Sequence, residues 1–258
     1  MSTPHLRLEF PVPFVAVLTL DRPPVNALDW PTREAFVALL EELHERDDVR
    51  CIVLTAAGRI FCAGADIREK QALGAKPGDL MRADRVTRDA FFTLLDIAKP
   101  VVCAVQGGAL GAGFVLAACC DIILASEDAY FAMPEIDVGQ GGGASFLQRI
   151  LPPAKLRRMM LTGERVPAAE LHRLGAVESV LPAADLLPAA IALAATIAAK
   201  SPTAVRRIRA SFGTVEALGL REGFRLEQGY TTELSRSTEA EEARRAFFEK
   251  RKPDFGGR

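Results

Sequence analysis

The chain has 258 residues, 49% of them apolar and 25% charged, and a chain of that length buries about 70% of its unfolded surface without needing disulfides or a structural metal. Its 32 basic and 33 acidic side chains give a formal net charge of -1, which argues against a general nucleic-acid binder. The longest apolar stretch, residues 186–199, contains Pro188 and Thr196 and falls short of the ~20 residues that span a bilayer.

Taken in chain order, residues 6–10 alternate apolar and polar, and residues 15–20 form a stronger β run closed by the turn Asp21-Arg22-Pro23-Pro24. Phe36, Leu39, Leu40 and Leu43 repeat with a helical period, which predicts a helix over 32–46 that begins near Pro31-Thr32. Residues 51–55 are a short apolar run, as expected of a strand buried on both faces. A helix over 86–97 follows. Pro100 then opens a strand at 101–105, and further strands are predicted at 121–125 and 129–131. This β-α-β-α rhythm implies an α/β core with mostly parallel pairing. Beyond Gly139 only 177–181 reads as a strand. Helices are predicted at 155–162, 168–174, 183–199, 203–212, 221–234 and 238–250. Ser201-Pro202 is the expected boundary between a core of residues 1–200 and a helical region of residues 201–258.

The first ten residues carry His5, Arg7 and Glu9 and lack the apolar run of a secretory signal. The cysteines, Cys51, Cys62, Cys103, Cys119 and Cys120, sit in apolar surroundings with no C-x-x-C pair. Buried thiols in a reducing cytoplasm are the expectation. A zinc site would need more His or Cys at ligand spacing, so no metal is expected.

Three glycine-containing turns stand out: residues 61–67, 106–113 and 139–143. Small residues let a ligand approach the backbone. The second turn precedes the apolar segment 114–119 and places free N–H groups at a helix N-terminus, where they can hold an anion or a developing oxyanion. Neither G-x-G-x-x-G nor G-x-x-x-x-G-K-[ST] is present, because Leu110 and Leu116 fall where glycines would be needed. A triad hydrolase is equally disfavoured. His5, His44 and His172 adjoin none of the three turns, and there is no G-x-S-x-G. Acid–base work then falls to a carboxylate. Glu135, in the apolar stretch 131–136 just before the third turn, is the best candidate, since such surroundings raise a carboxyl pKa. It could equally cap the turn that follows. Asp66, which could brace its loop, and Asp121, which begins a strand, are weaker candidates.

Several separated segments together resemble the enoyl-CoA hydratase/isomerase, or crotonase, family. They are Asp21-Arg22-Pro23, Asn26-Ala27-Leu28, residues 61–67, Lys99-Pro100-Val101, Gly107 to Gly113, Asp121-Ile122, Phe131 to Glu135 with Gly139, Gln148-Arg149, Leu161-Thr162-Gly163 and residues 247–251. The resemblance implies an α/β spiral of ββα turns with a C-terminal helical region used in trimer assembly. It implies a coenzyme A thioester as substrate, no separate cofactor, and a homotrimer or homohexamer. By position, the N–H groups of Ala65 and Ala112 hold the thioester oxygen, and Glu135 transfers the proton. Ala63, Asp66, Ile67 and Val115 fall in the substrate-binding segments, and Lys250 near the CoA adenine or phosphates. A preorganised donor of this kind contributes about 3–4 kcal/mol in the transition state.

One departure carries information. Hydratases of the family usually have two glutamates, and the position of the other, three residues after Ala112, is Val115. Adding water is helped by two carboxylates, whereas moving a double bond needs one. Isomerisation or hydration of an enoyl-CoA with Glu135 as the sole acid/base is therefore the expectation. Another enolate reaction, such as decarboxylation or C–C bond formation, and a non-catalytic acyl-CoA-binding subunit are the alternatives.

Overall fold

Val15, Val17, Cys51, Val53, Val102 and Ala104 turn to one face of their strands, while Ala16, Leu18, Ile52, Leu54, Val101 and Cys103 turn to the other. All are buried, so the sheet they form is covered on both sides. That explains why these strands read as apolar runs and not as alternations. The computed structural model describes residues 2, 3, 5–72 and 76–256. Within them, β1 (Ser2–Thr3), β2 (Leu6–Val12), β3 (Phe14–Leu20), β4 (Val49–Ala56), β5 (Val101–Val105), β7 (Ile122–Ser126) and β10 (Ser179–Leu181) lie side by side in that order. The first two pairings are antiparallel, and those from β3 onward are parallel. A second, shorter sheet joins β6 (Gly108–Leu110), β8 (Tyr130–Ala132) and β9 (Val166–Pro167).

Helices return the chain between strands: α1 (Trp30–Glu45), α2 (Ile67–Ala72), α3 (Asp79–Asp96), α4 (Ala112–Ala118), α5 (Ala144–Leu147), α6 (Pro153–Thr162), α7 (Ala168–Arg173) and α8 (Ala183–Ala198). Asp29 caps α1 by accepting from Thr32 N–H at 3.0 Å, so this helix starts two residues ahead of the predicted Thr32. A main-sheet strand, a short pairing in the second layer and a helix repeat along the chain. This is the expected ββα spiral. Leu186, Ala190, Ala194 and Ala198 lie four residues apart on α8 and press it onto one face of the sheet. The opposite face is covered by α1, α3 and α4. No single described helix is long and apolar enough to cross a membrane.

Two departures from the sequence reading have physical causes. The helix predicted at 86–97 begins at Asp79, because Leu80 and Met81 in its first turn are exposed and leave no apolar period there. Residues 108–110, read as part of a glycine turn, form β6, paired parallel to β8 from Gly108↔Tyr130 to Leu110↔Ala132. Gly108, Ala109 and Leu110 include no β-branched or aromatic residue, so this strand exists only through its partner.

After Ser201, whose hydroxyl accepts from Ala204 N–H at 3.1 Å, come α9 (Pro202–Val215), α10 (Leu220–Ser235) and α11 (Thr238–Phe248). Arg209 fixes α9 to the core. It donates to Asp121 Oδ2 at 2.9 Å, to Leu95 O at 3.1 Å and to Leu94 O at 2.6 Å. Asp121 Oδ2 also accepts from Val101 N–H at 2.7 Å, so one carboxylate joins the start of β5 to α9. Arg209→Ala leaves this carboxylate and the α3 carbonyls without their cation. It is expected to lower unfolding stability by about 3 kcal/mol in a urea titration, with an unchanged slope.

Candidate active site

β3, β4 and β5 run parallel and in register, with Leu18 beside Leu54 and Leu54 beside Cys103. All three strands therefore end at the same edge of the sheet, where ligands of parallel α/β sheets generally bind. The segments that leave this edge pair with one another. Cys62 N–H donates to Gly108 O at 3.1 Å and Leu110 N–H to Cys62 O at 2.9 Å. Ala63 N–H donates to Val25 O at 3.0 Å, Leu28 N–H to Gly64 O at 2.8 Å and Asp66 N–H to Leu28 O at 3.1 Å.

That last pair of bonds decides where the Ala65 N–H points. Gly64 O and Asp66 N–H both face Leu28 across a parallel bridge, so the N–H of the residue between them faces the other way. Ala112 is the first residue of α4, and the first bond within that helix runs from Val115 N–H to Gly111 O at 3.0 Å. Its N–H is thus one of the four that a helix start leaves over. Among the described residues neither amide has a protein acceptor. The two turns touch: a Cβ on Gly64 would stand 3.3 Å from Ala112 N and 2.8 Å from Leu110 O.

Glu135 lies in the 3-10 turn Pro134–Val138 and is half-buried. Its carboxylate packs on Gly111, where a Cβ would stand 1.9 Å from Glu135 Oε1. Gly111 has φ 53 and ψ -121, a combination that only glycine adopts readily. Glu135, Gly111 just ahead of α4 and the Ala65 turn share one cleft of about 410 Å³, which Ala63, Ile67, Asp137 and Gln140 also line. A second hollow of about 500 Å³ shares Ala63, Ala65 and Ile67 with it and adds Asp66 and the basic His5, Arg22 and Arg68.

Asp66 braces its loop, as expected. Oδ2 pairs with Arg22 at 2.9 Å, and Oδ1 accepts from Arg68 N–H at 2.9 Å at the start of α2. Burial works against its charge, but Arg22 and the backbone donors outweigh burial and hold the carboxyl below the usual carboxylate range. Cys62, beneath the turn, is pushed up to about 12 by burial, so it stays a neutral thiol. His44 and His172 are satisfied by backbone, at Ala98 N–H and Val177 O.

Three expected site residues, Ala112, Val115 and Lys250, line neither hollow. Val115 is 2% exposed and lines neither hollow. It packs beside Gly143, where a Cβ would meet Val115 Cγ2 at 2.7 Å and Met133 Cε at 3.2 Å. Lys250 lies in the turn two residues after α11, with φ 52, exposed to solvent, and lines neither hollow of its own chain. Sequence reasoning missed the roles of Arg22 and His5 at the second hollow and of Gly111 beneath Glu135. Only the Gly111-Ala112-Gly113 pattern hinted at the last.

The family model described as Enoyl-CoA hydratase/isomerase matches residues 13–258. A (7aS)-7a-methyl-1,5-dioxo-2,3,5,6,7,7a-hexahydro-1H-indene-carboxyl-CoA hydrolase of Rhodococcus jostii is 38% identical over 67% of this chain and 66% of its own length. A carnitinyl-CoA dehydratase of Proteus mirabilis is 35% identical over 67% of each chain. The chain thus spans about two-thirds of the length of these relatives. The crystal structure of an enoyl-CoA hydratase from Bacillus anthracis superimposes with a TM-score of 0.93 at 28% identity, covering 98% of this chain and 100% of that one.

Gly111→Ala introduces a methyl group into the Glu135 carboxylate and a side chain at a left-handed φ. The expected result is a loss of about 2 kcal/mol or more in stability. A crystal structure of the variant is expected to show Glu135 turned away from the start of α4.

Proposed function

Because the chain belongs to the enoyl-CoA hydratase/isomerase family, we propose that it is an acyl-CoA enzyme that holds a thioester oxygen between Ala65 N–H and Ala112 N–H and moves a proton with Glu135. The observation that carries this reading is the packing of the Glu135 carboxylate on Gly111, one residue before the Ala112 donor and in the cleft that Ala65 also lines. Removing a proton next to a thioester carbonyl puts the charge on the carbonyl oxygen. Two fixed N–H groups stabilise that charge without reorganising. The second hollow, lined by Arg68 and His5, suits the anionic CoA moiety.

The preferred reaction is isomerisation of a 3-enoyl-CoA to the 2-enoyl-CoA. Glu135 takes a proton from C2, the resulting dienolate is held at its oxygen, and the protonated Glu135 returns a proton at C4. One carboxylate suffices, and the apolar Val115 packing beside Gly143 supports the absence of a second one at that position. Addition of water is the alternative. It is favoured by Asp137, a second carboxylate along the same cleft.

Incubation with 2-enoyl-CoA and 3-enoyl-CoA separates these. Isomerisation leaves the mass unchanged and raises the conjugated thioester absorbance, whereas hydration adds one water and lowers it. Glu135→Gln keeps the size of the side chain but cannot act as a base, so turnover is expected to fall ~10²–10⁴-fold with little change in CoA-thioester affinity. Near-normal turnover of this variant places the base elsewhere, with Asp137 the next residue to replace.

The assembly proposed is a trimer or a dimer of trimers. Leu220, Phe247 and Phe248 on the C-terminal helices are 90%, 78% and 81% exposed in the single chain, which is unusual for large apolar side chains without a partner surface. Lys250, remote from its own cleft lining, then serves a neighbouring subunit's CoA. Light scattering on the purified protein is expected to give three or six times the chain mass, and Lys250→Ala to raise KM for the CoA thioester several-fold. A monomer, or an unchanged KM, overturns this part.

A further inference from the structure

Arg22 has a place in this site that its exposure at the rim does not suggest. Its guanidinium is held at three acceptors: Nη1 donates to Ala27 O at 3.0 Å, and Nη2 reaches Asp66 Oδ2 at 2.9 Å and Asp29 Oδ2 at 3.0 Å. Ala27 and Asp29 flank Leu28, and Asp66 follows Ala65. The three acceptors therefore belong to the two segments that pair at the Leu28–Ala65 bridge. One planar group ties both sides of the bridge on which the Ala65 N–H is mounted.

The surroundings keep that group still. Arg22 N–H donates to Asn26 Oδ1 at 2.8 Å, and Asn26 Nδ2 donates to Ala57 O at 2.8 Å and Ile60 O at 2.7 Å. The turn carrying Arg22 is thus fastened to the chain just ahead of Ala65. On the other side, Arg33 pairs with Glu69 at 2.5 Å and Glu69 Oε1 accepts from Trp30 N–H at 2.6 Å, which holds α2 to the start of α1. Asp66 stands between these two fastenings and gives Arg22 its hold on the donor segment.

We infer that Arg22 is a positioning residue for the oxyanion donor: its fork locks the Leu28–Ala65 bridge and so aims the Ala65 N–H at the thioester oxygen. The inference rests on the enoyl-CoA reading above. Lysine cannot replace it, because a point charge on a flexible stem does not reach a carbonyl and two carboxylates in one plane. The role differs from attraction of CoA phosphates. A misaimed donor weakens the transition state and lowers kcat, whereas a lost phosphate contact raises KM.

The test uses Arg22→Lys, Arg22→Met and Asp66→Asn, which breaks the same contact from the other side while its amide oxygen can still accept from Arg68 N–H. Three quantities are read: kcat and KM on the active enoyl-CoA, Tm, and the red shift of a saturating cinnamoyl-CoA chromophore, which reports polarisation of the bound thioester carbonyl. All three variants are expected to lose ~10-fold or more in kcat, to keep KM within about twofold, and to show a smaller red shift at saturation. Retained kcat and red shift with a raised KM overturn the inference in favour of a phosphate contact. A lowered Tm with unchanged kcat and red shift overturns it in favour of a purely structural brace. If Arg22→Met does not fold, Arg22→Lys and Asp66→Asn decide. Absence of any shift with the unaltered protein overturns the enoyl-CoA reading together with this inference, whereas a wild-type shift kept intact in the variants overturns the inference alone.

Discussion

Backbone pairing beyond the ends of β3, β4 and β5 is the constraint on which the site depends. Buried amides are nearly always paired, and here Cys62, Ala63 and Asp66 donate to residues 25–28 and 108–110, Gly64 N–H turns to Cys62 Sγ, and the Ala65 N–H faces away from Leu28. A donor made this way is part of the main chain. It cannot swing out of line as a side chain can, and it carries no charge that the cleft must solvate. Its direction follows from which bonds its neighbours make. The precision of the site is then set by whatever holds those two bonded segments together.

The same arrangement explains the crowding of small residues. Cys62, Gly64 and Gly113 lie where main chains approach closely. A Cβ on Gly113 would stand 2.4 Å from Cys62 O. Glu135 can rest on the start of α4 only because Gly111 offers no side chain. These positions are chosen by contact distance and not by any chemistry of their own, and they bring Glu135, Gly111 and the Ala65 turn to one cleft. The thiol of Cys62 beneath them is held neutral by burial and adds bulk without charge.

Ionic contacts play two distinct parts around this core. Arg209 and Asp121 act at the opposite ends of the strands, where β5 and β7 begin, and fasten the C-terminal helices to the sheet. Arg22, Asp66, Arg33 and Glu69 act at the ends where the cleft lies, and fasten α1 and α2 to the donor segment. Other pairs, such as Arg46 with Asp48 or Arg173 with Glu170, are largely exposed and contribute little.

Much of this was legible in the residues themselves. Apolar runs located β3, β4 and β5, which are buried on both faces, and the helical period located helices such as α1, which buries Phe36, Leu39, Leu40 and Leu43. The motif segments singled out Ala65 and Glu135, which the fold brings to the lining of one cleft, because glycine turns and an acid in an apolar stretch are unusual enough to stand out. The remainder was decided by tertiary structure. β6 has no β signature and forms only because β8 lies beside it. Val115 occupies the position of a family glutamate, yet it is buried beside Gly143 and away from the cleft lining. Arg22 reads as an ordinary turn residue, and its hold on Ala27, Asp29 and Asp66 exists only once β3 and β4 are paired in parallel. Sequence determines which side chains can bury and which backbones can turn. The direction of an amide, and the cation that keeps it there, depend on segments about forty residues apart meeting in space, which a one-dimensional pattern does not encode.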